Sequence, residues 1–187
     1  MVSDHQTSAE IIESCRQGDR EAFRALYECY KDRVYSVAYY FFHGDAATAA
    51  DATQQVFLKL FTQIAKYRGE SEFSTWLYRF VVNVCIDESR RRPRGRQTDS
   101  DVLEKLAQPV GHDREMERAQ TAASVRAAVA SLPPKVRLAI LLRYFDELSY
   151  SELATSLNCS MGTVASRLNR GHRLLAQKLA GLKDSNV

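Results

Sequence analysis

The sequence predicts an all-α fold, with two small helical domains joined by a flexible polar linker. Three observations carry this. Apolar residues recur at three- and four-residue spacing along most of the chain, and no stretch keeps the alternation of a half-buried strand. Helix-stopping and helix-starting residues fall between those stretches, at Gly18-Asp19, Gly44-Asp45, Pro93 and Leu132-Pro133-Pro134. The polar segment from Gln97 to Asp113, with Pro109 and Gly111 inside it, interrupts the pattern once. The expected bounds are residues 8–95 for the first domain, 96–115 for the linker and 116–183 for the second.

Ser8 to Gln17 reads as a short helix, with Ile11, Ile12 and Cys15 on or near one face. Asp19 caps a long helix in which Phe23, Leu26, Tyr27, Tyr30, Val34, Val37, Ala38 and Phe41 keep the rhythm. Gly44 ends it. Asp45 caps a third helix, Ala46 to about Lys66, with Ala50, Thr53, Phe57, Leu60, Phe61 and Ile64 as the expected core face. Asp51, Gln54, Gln55, Leu58 and Lys59 lie elsewhere on that helix, and Leu58 among polar neighbours hints at a partner surface. Tyr67 to Ser74 reads as a loop. Thr75 opens a fourth helix to about Arg92, on which Leu77, Phe80, Val81, Val84 and Cys85 are apolar. Beyond the linker, whose only expected order is a weak turn near Val102 to Ala107, a helix resumes at Arg114. Ala119, Ala122, Val125, Val129 and Leu132 share its apolar face. Pro134 suits the first turn of the next helix, where its missing N–H is not needed. That helix places Leu138, Leu141, Leu142 and Phe145 together.

The last stretch carries the clearest chemistry. Ser149 and Glu152 have capping-box spacing. Asn158 and Cys159 form a turn, since Asn tolerates a left-handed backbone. Ser160 caps a second helix, which Val164, Leu168, Gly171 and Leu175 dock by one face. Thr163, Ser166, Arg167, Arg170 and Arg173 remain on the other faces. From Ser160 to Lys183 the chain has five Lys or Arg residues and no carboxylate. Two helices with a tight turn, the second basic and rich in hydroxyls, suit the DNA major groove.

Charge distribution says more than the net charge of +3. Arg90, Arg91, Arg92, Arg94 and Arg96 form a second basic cluster, whereas Asp99 to Arg118 holds six acidic residues against three basic ones. Two separated contacts with a polyanion, and a connector that avoids it, fit this asymmetry. The fourth helix and the loop before it mix Tyr67, Phe73, Trp76 and Tyr78 with arginines, a combination suited to single-stranded DNA. Trp76 leans toward a core role, and Phe73 is evenly balanced between core and base contact. Asn83, a polar amide among valines, could read a base edge with both donor and acceptor.

Other chemistries are poorly supplied. No phosphate-binding glycine motif is present, and no catalytic residues are marked. No cofactor is expected. Cys15, Cys29, Cys85 and Cys159 lack metal-ligand spacing, and His5, His43, His112 and His172 are scattered, so no metal site is expected. The N-terminus is polar and no apolar run reaches the ~20 residues of a membrane span, so a cytoplasmic protein without membrane insertion is expected.

The runs DATQQVFLKLF, EFSTWLYRFVVNVCIDESRRR and SLPPKVRLAILLRYFDELSYSELATSLNCSMGTVASRLNRGHRLL, in this order, resemble bacterial RNA polymerase sigma factors of the extracytoplasmic-function (ECF) type. The resemblance implies sigma domain 2, a linker in place of the middle domain, and sigma domain 4 with a helix-turn-helix. It implies binding of core RNA polymerase, recognition and melting of promoter DNA, and transcription initiation. Asp51, Gln54, Gln55 and Leu58 would meet the clamp helices of the largest polymerase subunit, and the second domain the flap of the second subunit. Tyr67, Arg68, Phe73, Asn83 and Asp87 would lie near the bases of the −10 element, with Arg90 and Arg91 on its backbone. Ser160, Thr163, Ser166, Arg167, Arg170 and Arg173 would read the −35 element as duplex. An anti-sigma factor is the implied inhibitor. Gln55 stands where the family usually has Glu and Ala165 where a basic residue is common, while Asn169 and His172 are less usual. A stand-alone helix-turn-helix regulator of duplex operators is the competing reading, and a protein-interaction adaptor the third.

Overall fold

The computed structural model describes residues 9–91 and 113–183, and every regular element among them is helical. A front lobe comprises α1 (Ala9–Arg16), α2 (Arg20–Phe41), α3 (Ala46–Gln63), a 3-10 turn (Ile64–Lys66) and α4 (Phe73–Arg91). A rear lobe comprises α5 (Asp113–Ala130), α6 (Pro134–Phe145), α7 (Tyr150–Ser156) and α8 (Met161–Lys183). The turn expected near Val102 to Ala107, and most of the linker, lie outside the described residues.

The helix ends follow from the local chemistry. Asp19 accepts the amides of Glu21 at 2.8 Å and Ala22 at 3.2 Å, and Asp45 accepts that of Thr48 at 3.0 Å. Between α2 and α3 the chain turns through His43 and Gly44, both at positive φ (61° and 83°), and the Gly44 amide donates to the Tyr39 carbonyl at 2.9 Å. Pro134 occupies the first turn of α6. Ser149 and Glu152 form the full capping box of α7. Asn158 takes the left-handed conformation (φ 46°) in the turn before α8, and Ser160 accepts the Thr163 amide at 3.2 Å.

Four expectations need correction. Helix α4 begins at Phe73 rather than Thr75, because Phe73 is only 4 % exposed and packs against Tyr30, Tyr67 and Trp76. Burial of that ring draws it into the first turn. The core face of α3 is made by Ala49, Ala52, Thr53, Val56, Phe57 and Leu60, and Phe61 lies outside it, half-exposed, with Ala50 only partly buried. The reason is that α3 packs against both α2 and α4, so its buried arc is turned from the arc expected of a single neighbour. Val125 and Phe145 are likewise exposed rather than central. Tyr78, which its sequence neighbours group with aromatics suited to single strands, is 1 % exposed, and its hydroxyl donates to Asp146.

That last contact crosses between the lobes. One apolar core runs through both, with α4 lying on α7 and α2 on α6. Ser156 Oγ donates to the Thr75 carbonyl at 3.1 Å across the same seam. Arg137, 6 % exposed, sits at this seam. The guanidinium donates to the carbonyls of Val129 (3.2 Å), Ala130 and Leu132 (2.8 Å), closing the C-terminus of α5. It also donates to the Phe41 carbonyl of the front lobe at 2.6 Å and lies 2.9 Å from His43 Nε2. Burial lowers its pKa to about 10, which still leaves it charged near neutral pH.

Candidate nucleic-acid interface

The rear lobe presents one face of one helix. Val164 and Leu168 are fully buried and fix the rotation of α8. Gly171 fixes its distance: a Cβ there would sit 2.8 Å from the Ile140 side chain and 3.2 Å from that of Val136, so only a glycine lets α8 lie this close to α6. With that face spent, Ser160, Ser166, Arg170 and Arg173 are exposed and Thr163 and Arg167 half-exposed, as the spacing predicts. Ser160 and Thr163 share a hydroxyl contact at 3.0 Å, and Arg167 Nη1 rests 3.4 Å from Cys159 Sγ. His172 is tied to Tyr144 of α6, Nε2 to hydroxyl at 2.9 Å. Ala165 is half-buried and Asn169 exposed.

The front lobe presents a cavity. Its volume is about 390 Å³, within the range of roughly 300–1,000 Å³ typical of small-molecule sites. Tyr67, Arg68 and Phe73, chosen from sequence, come together in its wall with Tyr30 and Glu72. The Tyr67 hydroxyl donates to the Ser71 carbonyl at 2.6 Å, closing the loop on itself. Burial, assisted by Glu72, raises the Tyr67 phenol above its usual range, so it stays neutral and able to donate. Phe73, evenly balanced in the sequence, resolves toward the core: its ring supports the wall and is not free to stack openly. Trp76 leans on the same aromatic group. Sequence reasoning missed the far wall, which α1 supplies through Ile12, Glu13 and Arg16. Nothing in a short helix so far upstream signals this.

Asn83, Asp87, Arg90 and Arg91 are exposed along α4, beyond the cavity. Arg90 lies 3.9 Å from Asp87 and Arg91 3.9 Å from the half-buried Glu88, loose pairs in which both arginines remain exposed to solvent and to phosphates. On α3, Asp51, Gln54 and Leu58 are exposed and Gln55 half-exposed. Leu58 is 66 % exposed, and Phe61, edge-on to Phe23 at 4.9 Å, extends the apolar surface beside it. Among the described residues no His/Cys/Asp/Glu group could hold a metal, and no helix is long and apolar enough to cross a membrane.

Residues 26–95 match the family model of Sigma-70 region 2, and residues 122–175 that of Sigma-70, region 4. The chain is 33 % identical to the RNA polymerase sigma-H factor of Pseudomonas aeruginosa, over 92 % of this chain and 94 % of that protein. It is 30 % identical to the ECF RNA polymerase sigma factor SigW of Bacillus subtilis, over 91 % and 96 %. It is 32 % identical to the ECF RNA polymerase sigma-E factor of Escherichia coli K12, over 97 % and 98 %. The fold is shared with CnrH, solved with the cytosolic domain of CnrY, at a TM-score of 0.66 and 20 % identity over 95 % of this chain and 97 % of that one. It is also shared with RpoE of Bartonella quintana, solved with the anti-sigma factor NepR, at 0.63 and 19 % over 84 % and 96 %. The protein is thus of the kind that gives RNA polymerase its promoter preference. The chain belongs to the sigma-70 family and is an ECF-type sigma factor.

Proposed function

We propose that this sigma factor binds core RNA polymerase through the outer face of α3, holds the melted −10 strand on the front lobe and reads the −35 duplex with α8. The observation that carries this reading is the face of α8, held outward by Val164, Leu168 and Gly171, with its arginines opposed by no carboxylate between Ser160 and Lys183. On this reading the working bounds are 8–95, 96–115 and 116–183. Asp51, Gln54, Gln55 and Leu58, extended by Phe61, meet the clamp helices of the largest subunit. The rear lobe also meets the flap of the second. The cavity at Tyr67, Arg68 and Phe73 receives an unpaired base, while Asn83 and Asp87 face bases and Arg90 and Arg91 the backbone. Unpairing and unstacking one base costs roughly a few kcal/mol, which capture in a shaped cavity offsets without nucleotide hydrolysis. The protein acts without catalysis of its own, in the cytoplasm, and an anti-sigma factor restrains it. Solved relatives held by CnrY and NepR support that last point.

Run-off transcription with purified core polymerase on a genomic fragment pool tests the reading. New initiation dependent on the added chain is expected, and none anywhere in the pool overturns it. Changing Arg167 and Arg170 together to Ala lowers the salt dependence of promoter binding by about 0.9 in log–log slope for each phosphate left unneutralised. If the free chain shifts duplex promoter as tightly as the holoenzyme does, the stand-alone regulator reading replaces this one.

A further inference from the structure

We propose that the concave space where α4, α6 and α8 meet is a binding site for a compact polyphosphate anion, a nucleoside polyphosphate, separate from the cavity at Tyr67. The space is a cleft of about 910 Å³, within the roughly 300–1,000 Å³ of small-molecule sites. Its walls bring together four cations from three helices: Arg90 of α4, Lys135 of α6, and Arg167 and Arg170 of α8. No carboxylate among the described residues lines it. Ser89 and Ser166 add hydroxyls. Helix α6 also begins here, at Pro134 and Lys135, and its N-terminus has no side-chain cap and no acidic residue in its first turn. Uncapped amides and the positive end of the helix dipole add to the attraction for an anion.

The cations are available to a ligand. Neither Lys135 nor Arg170 has an ion-pair partner among the described residues. Arg167 rests on the Cys159 thiol at 3.4 Å, a weak acceptor. Arg90 lies 3.9 Å from Asp87 with its side chain 70 % exposed, a pair weak enough for a phosphate to displace. Like charges around one cleft repel, and an anion between them relieves that cost. A phosphate monoester carries about −1.5 to −2 near neutral pH, so about two or three phosphoryl groups balance the four cations. Duplex DNA spreads its phosphates along a rod, whereas cations converging on a concavity fit a compact anion. Lys135 and the start of α6 take no part in the outward face of α8, so that face alone does not account for the convergence. The floor, Ile86 with Pro133 and Val136, is apolar and gives a base or ribose a surface to pack on. Because three separate stretches of chain build the site, no contiguous glycine motif marks it. On the promoter reading, Ser166, Arg167 and Arg170 also serve the −35 duplex, so nucleotide and duplex compete for α8. Nucleotide binding itself does not depend on that reading.

The test is fluorescence anisotropy of a labelled ATP analogue on the full chain at physiological ionic strength, with unlabelled ATP, GTP and inorganic tripolyphosphate as competitors. Saturable binding of one analogue per chain is expected. Lys135→Glu should weaken it about tenfold or more. Its helical spectrum should be unchanged, because an acidic residue favours a helix N-terminus. Lys178→Glu makes the same charge change on α8 but outside the cleft, and should alter binding by no more than about twofold. Equal losses in the two variants, or no saturable binding of the analogue, overturn the site. Tripolyphosphate that competes as well as ATP upholds the phosphate site and overturns the nucleoside. Run-off transcription uses none of these readouts. A blank there, with saturable and Lys135-dependent binding here, overturns the promoter reading and leaves the site standing.

Discussion

The cavity of the front lobe is assembled from α1, α2, the loop at Tyr67–Gly69 and the start of α4, whereas the basic outward face of the rear lobe belongs to α8 and its cap. The first depends on long-range packing: Phe73 keeps its shape only while Tyr30, Tyr67 and Trp76 press on it. The second depends on a local cap at Ser160, a turn at Asn158 and a close approach at Gly171. A surface made by tertiary contacts fails when the core is loosened. A surface made by one helix fails when that helix is displaced or its ends fray. The two lobes should therefore respond differently to mutation.

The largest effect is expected at Phe73. Phe73→Ala should destabilise the protein by about 3–5 kcal/mol, read by chemical denaturation, and should abolish run-off at temperatures where duplex −35 binding by holoenzyme still occurs. Equal loss of both activities at those temperatures would remove the distinction between the lobes. Next is Gly171→Val, which forces the Ile140 side chain aside and should cost about 1–3 kcal/mol. Its promoter defect should follow the −35 sequence and fade on templates that lack that element. Ser149→Ala removes the capping box of α7 and should cost about 1 kcal/mol, seen as a lower denaturation midpoint with little change in −10 melting.

At neutral pH the smallest effect concerns the thiols. Cys29 is exposed, whereas Cys15 and Cys85 are buried, and burial pushes the Cys85 thiol up to about 12. A disulfide reagent should modify Cys29 promptly and Cys85 only on unfolding. Because the folded pKa lies above the unfolded value of 9.0, Cys85 contributes its full stability below pH 9 and loses it as the pH climbs toward 12. A denaturation series across that window should show stability falling, and Cys85→Ala should flatten part of the fall.

Legibility in the sequence followed the same divide. The caps at Asp19, Asp45, Ser149 and Ser160 and the left-handed Asn158 were readable because each acts over three or four residues. The face of α8 was readable because one apolar stripe fixes everything on its far side. Phe61, Val125 and Phe145 were misplaced because periodicity shows that a face exists but not how many neighbours will cover it. The contribution of α1 to the cavity left no local trace.

Composition and spacing alone determined the helical class, the element order, the capped turns and the basic outward face of α8, since these follow from short-range hydrogen bonding and helical period. Only the tertiary structure decided that Phe73 belongs to the core, that α1 closes the cavity and that Arg137, Tyr78 and Ser156 bind one lobe to the other. Those outcomes depend on which surfaces exclude water together. Residues as far apart as Phe41 and Arg137 acquire that relation only when the chain has folded.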